Sequence, residues 1–149
     1  GYLYGDYTRD KDGIMAAQLI CLAAAEARAQ GLTLVDRLQS IYETYGYLAG
    51  KSFSVYYQDE KGRGKMQRIM ERLFADGFRV KKELCYRKPP LYCAELADQA
   101  RIIVRPSGTE PKLKTYIFCR GEAAQEAQDA AAEIAQRMQN KWKDEGLYE

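Results

Sequence analysis

Four short runs between Ser52 and Cys119 alternate apolar with polar side chains, and this period-two pattern constrains the chain more than any other feature in it. Side chains along a strand change face at every step. Phe53, Val55 and Tyr57 therefore predict one strand over Ser52 to Gln58, and Phe78, Val80, Leu84 and Tyr86 predict a second. Arg101 to Arg105 and Leu113 to Cys119 read as two more, joined by a loop rich in Pro and Gly. A further short strand fits near Leu91, after the break at Pro89-Pro90.

Helical spacing surrounds these runs. Asp10 or Asp12 can cap a helix through Ile14, Leu19, Ile20, Leu22 and Ala25 that stops at Gly31. Its apolar residues lie almost all round, so it is expected between layers of a larger body. Thr33 with Asp36 marks a second start, and Leu34, Leu38, Ile41, Tyr42 and Tyr45 follow on one face up to Gly46. Gly62 and Gly64 precede a third helical stripe of Met66, Ile69, Met70 and Leu73, ended by Gly77. The last segment, Glu122 to Lys143, aligns Ala127, Ala131, Ile134, Met138 and Trp142, with acids early and bases late as a helix dipole favours. The order is helix, helix, strand, helix, a run of strands, helix.

Composition limits the chemistry. The chain has no histidine, so a serine–histidine triad cannot be built from it and the commonest metal ligand is missing. Cys21, Cys85, Cys93 and Cys119 form no CxxC pair, which gives no support to metal-ligand spacing and points to reduced thiols in a cytoplasm. Twenty-three basic residues against 21 acidic ones leave a net charge of +2, too small to argue for nucleic acid or an anionic membrane, so any anion preference must be local. No stretch approaches the roughly 20 apolar residues of a membrane span.

One local candidate stands out, the loop Arg105-Pro106-Ser107-Gly108-Thr109-Glu110-Pro111-Lys112 between two expected strands. Arg105 offers a planar fork for two phosphate oxygens and Lys112 a point charge from the other end. Ser107 and Thr109 add hydroxyl donors, Gly108 allows close backbone approach, and the two prolines limit the loop's freedom. Glu110 is the misfit and should turn away from an anion, toward Arg105 or Lys114. The same residue types also suit an ordinary polar hairpin turn.

These residues, with Leu113-Lys114 and a strand after them, resemble the phosphate-binding signature in the last domain of the α-phosphohexomutases, the phosphoglucomutase/phosphomannomutase family. Gly1-Tyr2-Leu3 followed by Arg9-Asp10-Lys11-Asp12-Gly13 resembles the close of that family's third domain. The resemblance implies an α+β fold: a TATA-binding-protein-like C-terminal domain with an antiparallel sheet and packed helices, over residues 33–149. Residues 1–32 would be the tail of the third domain. It implies that Arg105, Ser107, Gly108, Thr109 and Lys112 hold the non-reacting phosphate of a hexose phosphate, while the phosphoserine, the Mg2+ loop and the sugar-reading residues lie in domains 1–3 of the parent. The parent would interconvert hexose 1-phosphate and hexose 6-phosphate of glucose or mannose, with a hexose bisphosphate activator, and this segment would be inactive alone. Lys11 matches a lysine considered for proton transfer in some members, although Asp10, Lys11 and Asp12 can equally form a solvated helix cap. A stand-alone anion-binding module without chemistry is the alternative.

Overall fold

The computed structural model describes residues 2–57, 60–72, 78–87, 90–98, 100–108, 110–144 and 146. The chain divides into two compact units, Gly1–Tyr45 and Gly46–Glu149.

The first unit is a helix pair, α1 (Gly13–Ala29) and α2 (Leu34–Tyr45). Asp12 supplies the cap of α1: its Oδ1 accepts from the N–H groups of Ile14 (2.9 Å) and Met15 (3.1 Å), donors that have no partner inside the helix. Gly31 ends the helix in the left-handed region at φ 73°. A reciprocal cap opens α2, where Thr33 Oγ1 accepts from the Asp36 N–H (3.2 Å) and the Asp36 carboxylate accepts from the Thr33 N–H (2.7 Å). Along α1 only Ala27 is buried, and Ile14, Ile20 and Leu22 are exposed.

The second unit is α+β. Its sheet is antiparallel throughout, with β1 (Tyr47–Tyr56), β2 (Val80–Arg87), β3 (Pro90–Leu96), β4 (Arg101–Pro106) and β5 (Lys112–Gly121) in the order β1-β5-β4-β3-β2. Strand β5, between β1 and β4, carries the sequence alternation most clearly. Leu113, Thr115, Ile117 and Cys119 are buried, whereas Lys112, Lys114, Tyr116 and Phe118 are only half-buried. Register extends each set across the sheet: Ile102 pairs with Ile117 and Val104 with Thr115 on the covered face, Ile103 with Tyr116 and Arg105 with Lys114 on the open one.

Two helices contribute to the core on the covered side. From α3 (Glu60–Arg72) come Ile69 and Met70, and from α4 (Ala124–Asp144) come Ala131, Ile134, Ala135, Met138 and Trp142. Full burial of a side chain such as Ile69, Ile102 or Ile117 contributes about 1.5–3 kcal/mol. Trp142 fixes the far end of α4 through a tilted ring contact with Phe53 of β1, 5.5 Å between centroids. The strand-to-helix corner needs Gly121, because a Cβ there would stand 2.9 Å from the Ala127 nitrogen. Gly62 and Gly64, expected ahead of the third helix, lie inside α3. Leu73 and Gly77, its expected last turn and stop, fall outside the described residues, as does Pro89. The strand expected near Leu91 is a full member of the sheet, paired on both sides.

Candidate functional site

β4 and β5 are hairpin partners, and the loop between them spans the Arg105–Lys112 motif. Its base is pinned from two directions. Ser107 N–H donates to the Lys112 carbonyl (2.8 Å), closing the hairpin, and Tyr57 N–H donates to the Pro111 carbonyl (2.9 Å), tying the loop to the end of β1. The loop therefore stands on three neighbouring strands whose covered face is core.

The cations of the motif are held by tyrosines that the motif does not contain. Arg105 reaches the Tyr116 hydroxyl at 3.3 Å, with its guanidinium carbon 5.8 Å from that ring's centroid. Lys112 donates to the Tyr56 hydroxyl at 3.2 Å, with its ammonium 4.9 Å from the ring centroid. The second contact follows from register, since Tyr56 and Lys112 are cross-strand partners. Arg105 likewise lies opposite Lys114, a like-charge pairing that a sheet ordinarily avoids. Lys112 and Lys114 are two apart on β5 and share its open face, so three cations gather at one end of that face.

Glu110 takes Lys112 as its partner rather than Arg105 or Lys114 as expected, with Lys114 close enough to add a smaller share to holding its carboxyl ionised. Its carboxylate pairs with the Lys112 ammonium at 2.5 Å. The hydrogen bond from Lys112 holds the Glu110 carboxyl below the usual carboxylate range, and Glu110, then Tyr56, pushes the Lys112 ammonium up. Backbone geometry explains the choice: Lys112 N–H donates to the Glu110 carbonyl (2.8 Å) across Pro111, so the turn itself places the two residues side by side.

Gly108 is exposed, and a Cβ built on it would meet nothing within 4 Å. Its φ is outside the left-handed region, so the fold itself does not demand glycine there. Ser107 is half-buried with its N–H already committed to the hairpin. That leaves its hydroxyl and the Gly108 N–H as the available donors among the described residues of the loop's first half. Thr109 lies outside the described residues. Lys11 lies in the helix-pair unit, pairs with Asp10 at 3.5 Å and keeps 71% of its side chain exposed.

Sequence reasoning missed Tyr56 and Tyr116 as neighbours of the motif, and it took Lys114 only as a partner for Glu110, not as a third cation beside Arg105 and Lys112. Lys112, Lys114 and Tyr116 carry a readable signal, because they alternate with the apolar-side positions of a strong strand. Tyr56 carries none without the β1–β5 register. A separate hollow of ≈ 520 Å³ lies at the other end of the open face, lined by Leu48, Arg101, Phe118 and Arg120, but its Arg101 is already paired with Glu95 at 2.7 Å. Among the described residues no group of His, Cys, Asp or Glu is placed to hold a metal ion, and no helix is long and apolar enough to cross a membrane.

This arrangement can bind and orient an anion. Residues 50–138 match the sequence profile of the family Phosphoglucomutase/phosphomannomutase, C-terminal domain. Proteins named phosphoglucomutase from Staphylococcus aureus strains USA300, N315 and MSSA476 are each 31% identical to the chain over 140 residues, an overlap that covers 78% of this chain and 25% of theirs. The chain thus spans about a quarter of the length of the curated relatives it matches.

Proposed function

The chain belongs to the phosphoglucomutase/phosphomannomutase family, of which it carries the C-terminal domain, and from that premise we propose that its Arg105–Lys112 loop holds the non-reacting phosphate of a hexose phosphate in a longer mutase. The observation that carries this reading is the gathering of Arg105, Lys112 and Lys114 at one end of the open face, beside a glycine whose missing side chain leaves space the fold does not use. A dianionic phosphate offers the opposite charge, the acceptor oxygens and the small size that such a place suits.

In the longer protein, phosphoryl transfer between the 1- and 6-positions of glucose or mannose would occur on other domains. Affinity for the remote phosphate becomes orientation at the reacting end, since a sugar held by one phosphate presents the other in a fixed place. The Mg2+ and the hexose bisphosphate activator are assigned to parts of the protein outside this chain, in a cytoplasm where its four unpaired thiols stay reduced. Residues 1–32 are assigned to the end of the third domain and 33–149 to the fourth. The exposed apolar residues round α1 suit a helix that other parts of such a protein cover. Lys11 is assigned a proton-transfer role in the longer protein only.

Titration of the 149-residue chain with inorganic phosphate, followed by amide NMR, tests the reading. Binding should be weak, on the order of millimolar, because the sugar contacts lie elsewhere. The largest shifts should fall at Gly108 and Thr109, and Arg105→Ala should remove most of the affinity. Shifts gathered at the basic end of α4, with none in the loop, would refute it.

A further inference from the structure

The pairing of Glu110 with Lys112 puts a carboxylate on one of the cations that the anion needs. The Lys112 side chain is only 11% exposed, and its ammonium is occupied on two sides, by Glu110 at 2.5 Å and by the Tyr56 hydroxyl at 3.2 Å. An ammonium has three donors, so one is left for a ligand while its charge is already balanced. Arg105 and Lys114 differ in kind: among the described residues neither has a carboxylate within ion-pair distance.

From this asymmetry we propose that Glu110 is an internal counter-ion that occupies Lys112 in the empty loop and that phosphate must displace to bind fully. The inference rests on the reading of the loop as a phosphate site. Arg105 and Lys114 supply the uncompensated charge that draws the anion in. The exchange at Lys112 then moves a carboxylate that is half exposed and joined to the backbone beyond Pro111, so Glu110 can swing to solvent while its main chain stays in the turn. Tyr56, across the strands, keeps the ammonium beside the loop in both states. The affinity of the loop is set below what its cations alone would give, and Glu110 is the residue that sets it.

The test compares inorganic phosphate binding by the wild-type chain, Glu110→Gln and Glu95→Gln, at one pH and ionic strength. Glu110→Gln keeps size and shape but cannot hold the ammonium as a counter-ion. It should bind about two- to fivefold more tightly, the range expected for freeing one partner of a partly exposed pair. Glu95 is an acid at the other end of the same face, paired with Arg101, and Glu95→Gln should leave affinity unchanged. Equal or weaker binding by Glu110→Gln, with the wild type still binding at the loop, would overturn the counter-ion role and leave the phosphate site standing. Equal tightening by Glu95→Gln would overturn it as well, since net charge alone would then be responsible. No loop binding by wild type or by Glu110→Gln would overturn both readings, and loop binding by Glu110→Gln alone would support the counter-ion strongly.

Discussion

Removing the charge of Lys114 should move stability and phosphate affinity in opposite directions. Lys114 lies directly across from Arg105 on the open face, and like charges so placed destabilise an antiparallel pair by about 0.2–1 kcal/mol. Lys114→Met keeps the aliphatic stem against the strand while relieving that repulsion, so the variant should unfold at a slightly higher denaturant concentration, by a few tenths of a kcal/mol. Affinity should fall. With Lys112 balanced by Glu110, the uncompensated charge of the loop face is that of Arg105 and Lys114, and the substitution removes half of it. A unit charge about 4 Å from an anion is worth about 1 kcal/mol where water dominates the dielectric, or roughly a fivefold change in Kd. Urea unfolding and phosphate titration of the same samples, at low ionic strength to limit screening, give both quantities. A variant that loses stability and keeps its affinity would mean that Lys114 is simply a strand residue, and the reasoning would be wrong.

Gly108→Ala should leave stability unchanged or raise it slightly, because the added Cβ meets nothing within 4 Å and φ is ordinary, yet it should weaken phosphate binding several-fold by filling the approach; unchanged binding would show that the ligand does not come close there. Lys11→Met in the full-length protein should lower hexose phosphate turnover in a coupled assay while leaving phosphate binding by the loop alone, and the 149-residue chain by itself should give no turnover. Unaltered full-length turnover would reduce Lys11 to part of a helix cap.

The strands were legible where one face is core. Leu113, Thr115, Ile117 and Cys119 alternate in sequence because they alternate in burial, and a threonine among them is small enough not to break the pattern. Strand ends were less legible for reasons of packing. β1 begins at Tyr47, well before Ser52, because Ala49 and Gly50 pair with Cys119 and Phe118, and a Cβ at Gly50 would lie 3.5 Å from the Phe118 ring. Neither residue advertises a strand. In α3 the low helix propensity of Gly62 and Gly64 argued for a later start, but Ile69 and Met70 bury against the sheet and the whole segment is helical. The place of the Arg105–Lys112 segment between two strands was legible, but its residue types suit an ordinary polar turn as well as an anion site, and only the family resemblance favours the second. The direction of Glu110 was not legible, because it depends on which cation the hairpin brings beside it.

The open face has an energetic consequence that links fold to site. No attraction between Arg105 and Lys114 brings them opposite one another, and their mutual repulsion opposes the pairing that holds them there. The sheet can impose it because their neighbours Val104 and Thr115 are fully buried partners on the other face, and a one-residue slip would carry those core residues to solvent. Register is thus fixed by the covered side, and the cations on the open side are held near each other whether or not an anion is present. The cost of gathering charge falls on folding, so that little of it is left to oppose binding. Glu110 is the only acid paired with any of the three cations among the described residues. It offsets part of that cost in the empty loop, at an ammonium whose side chain is only 11% exposed and which the turn itself places beside it.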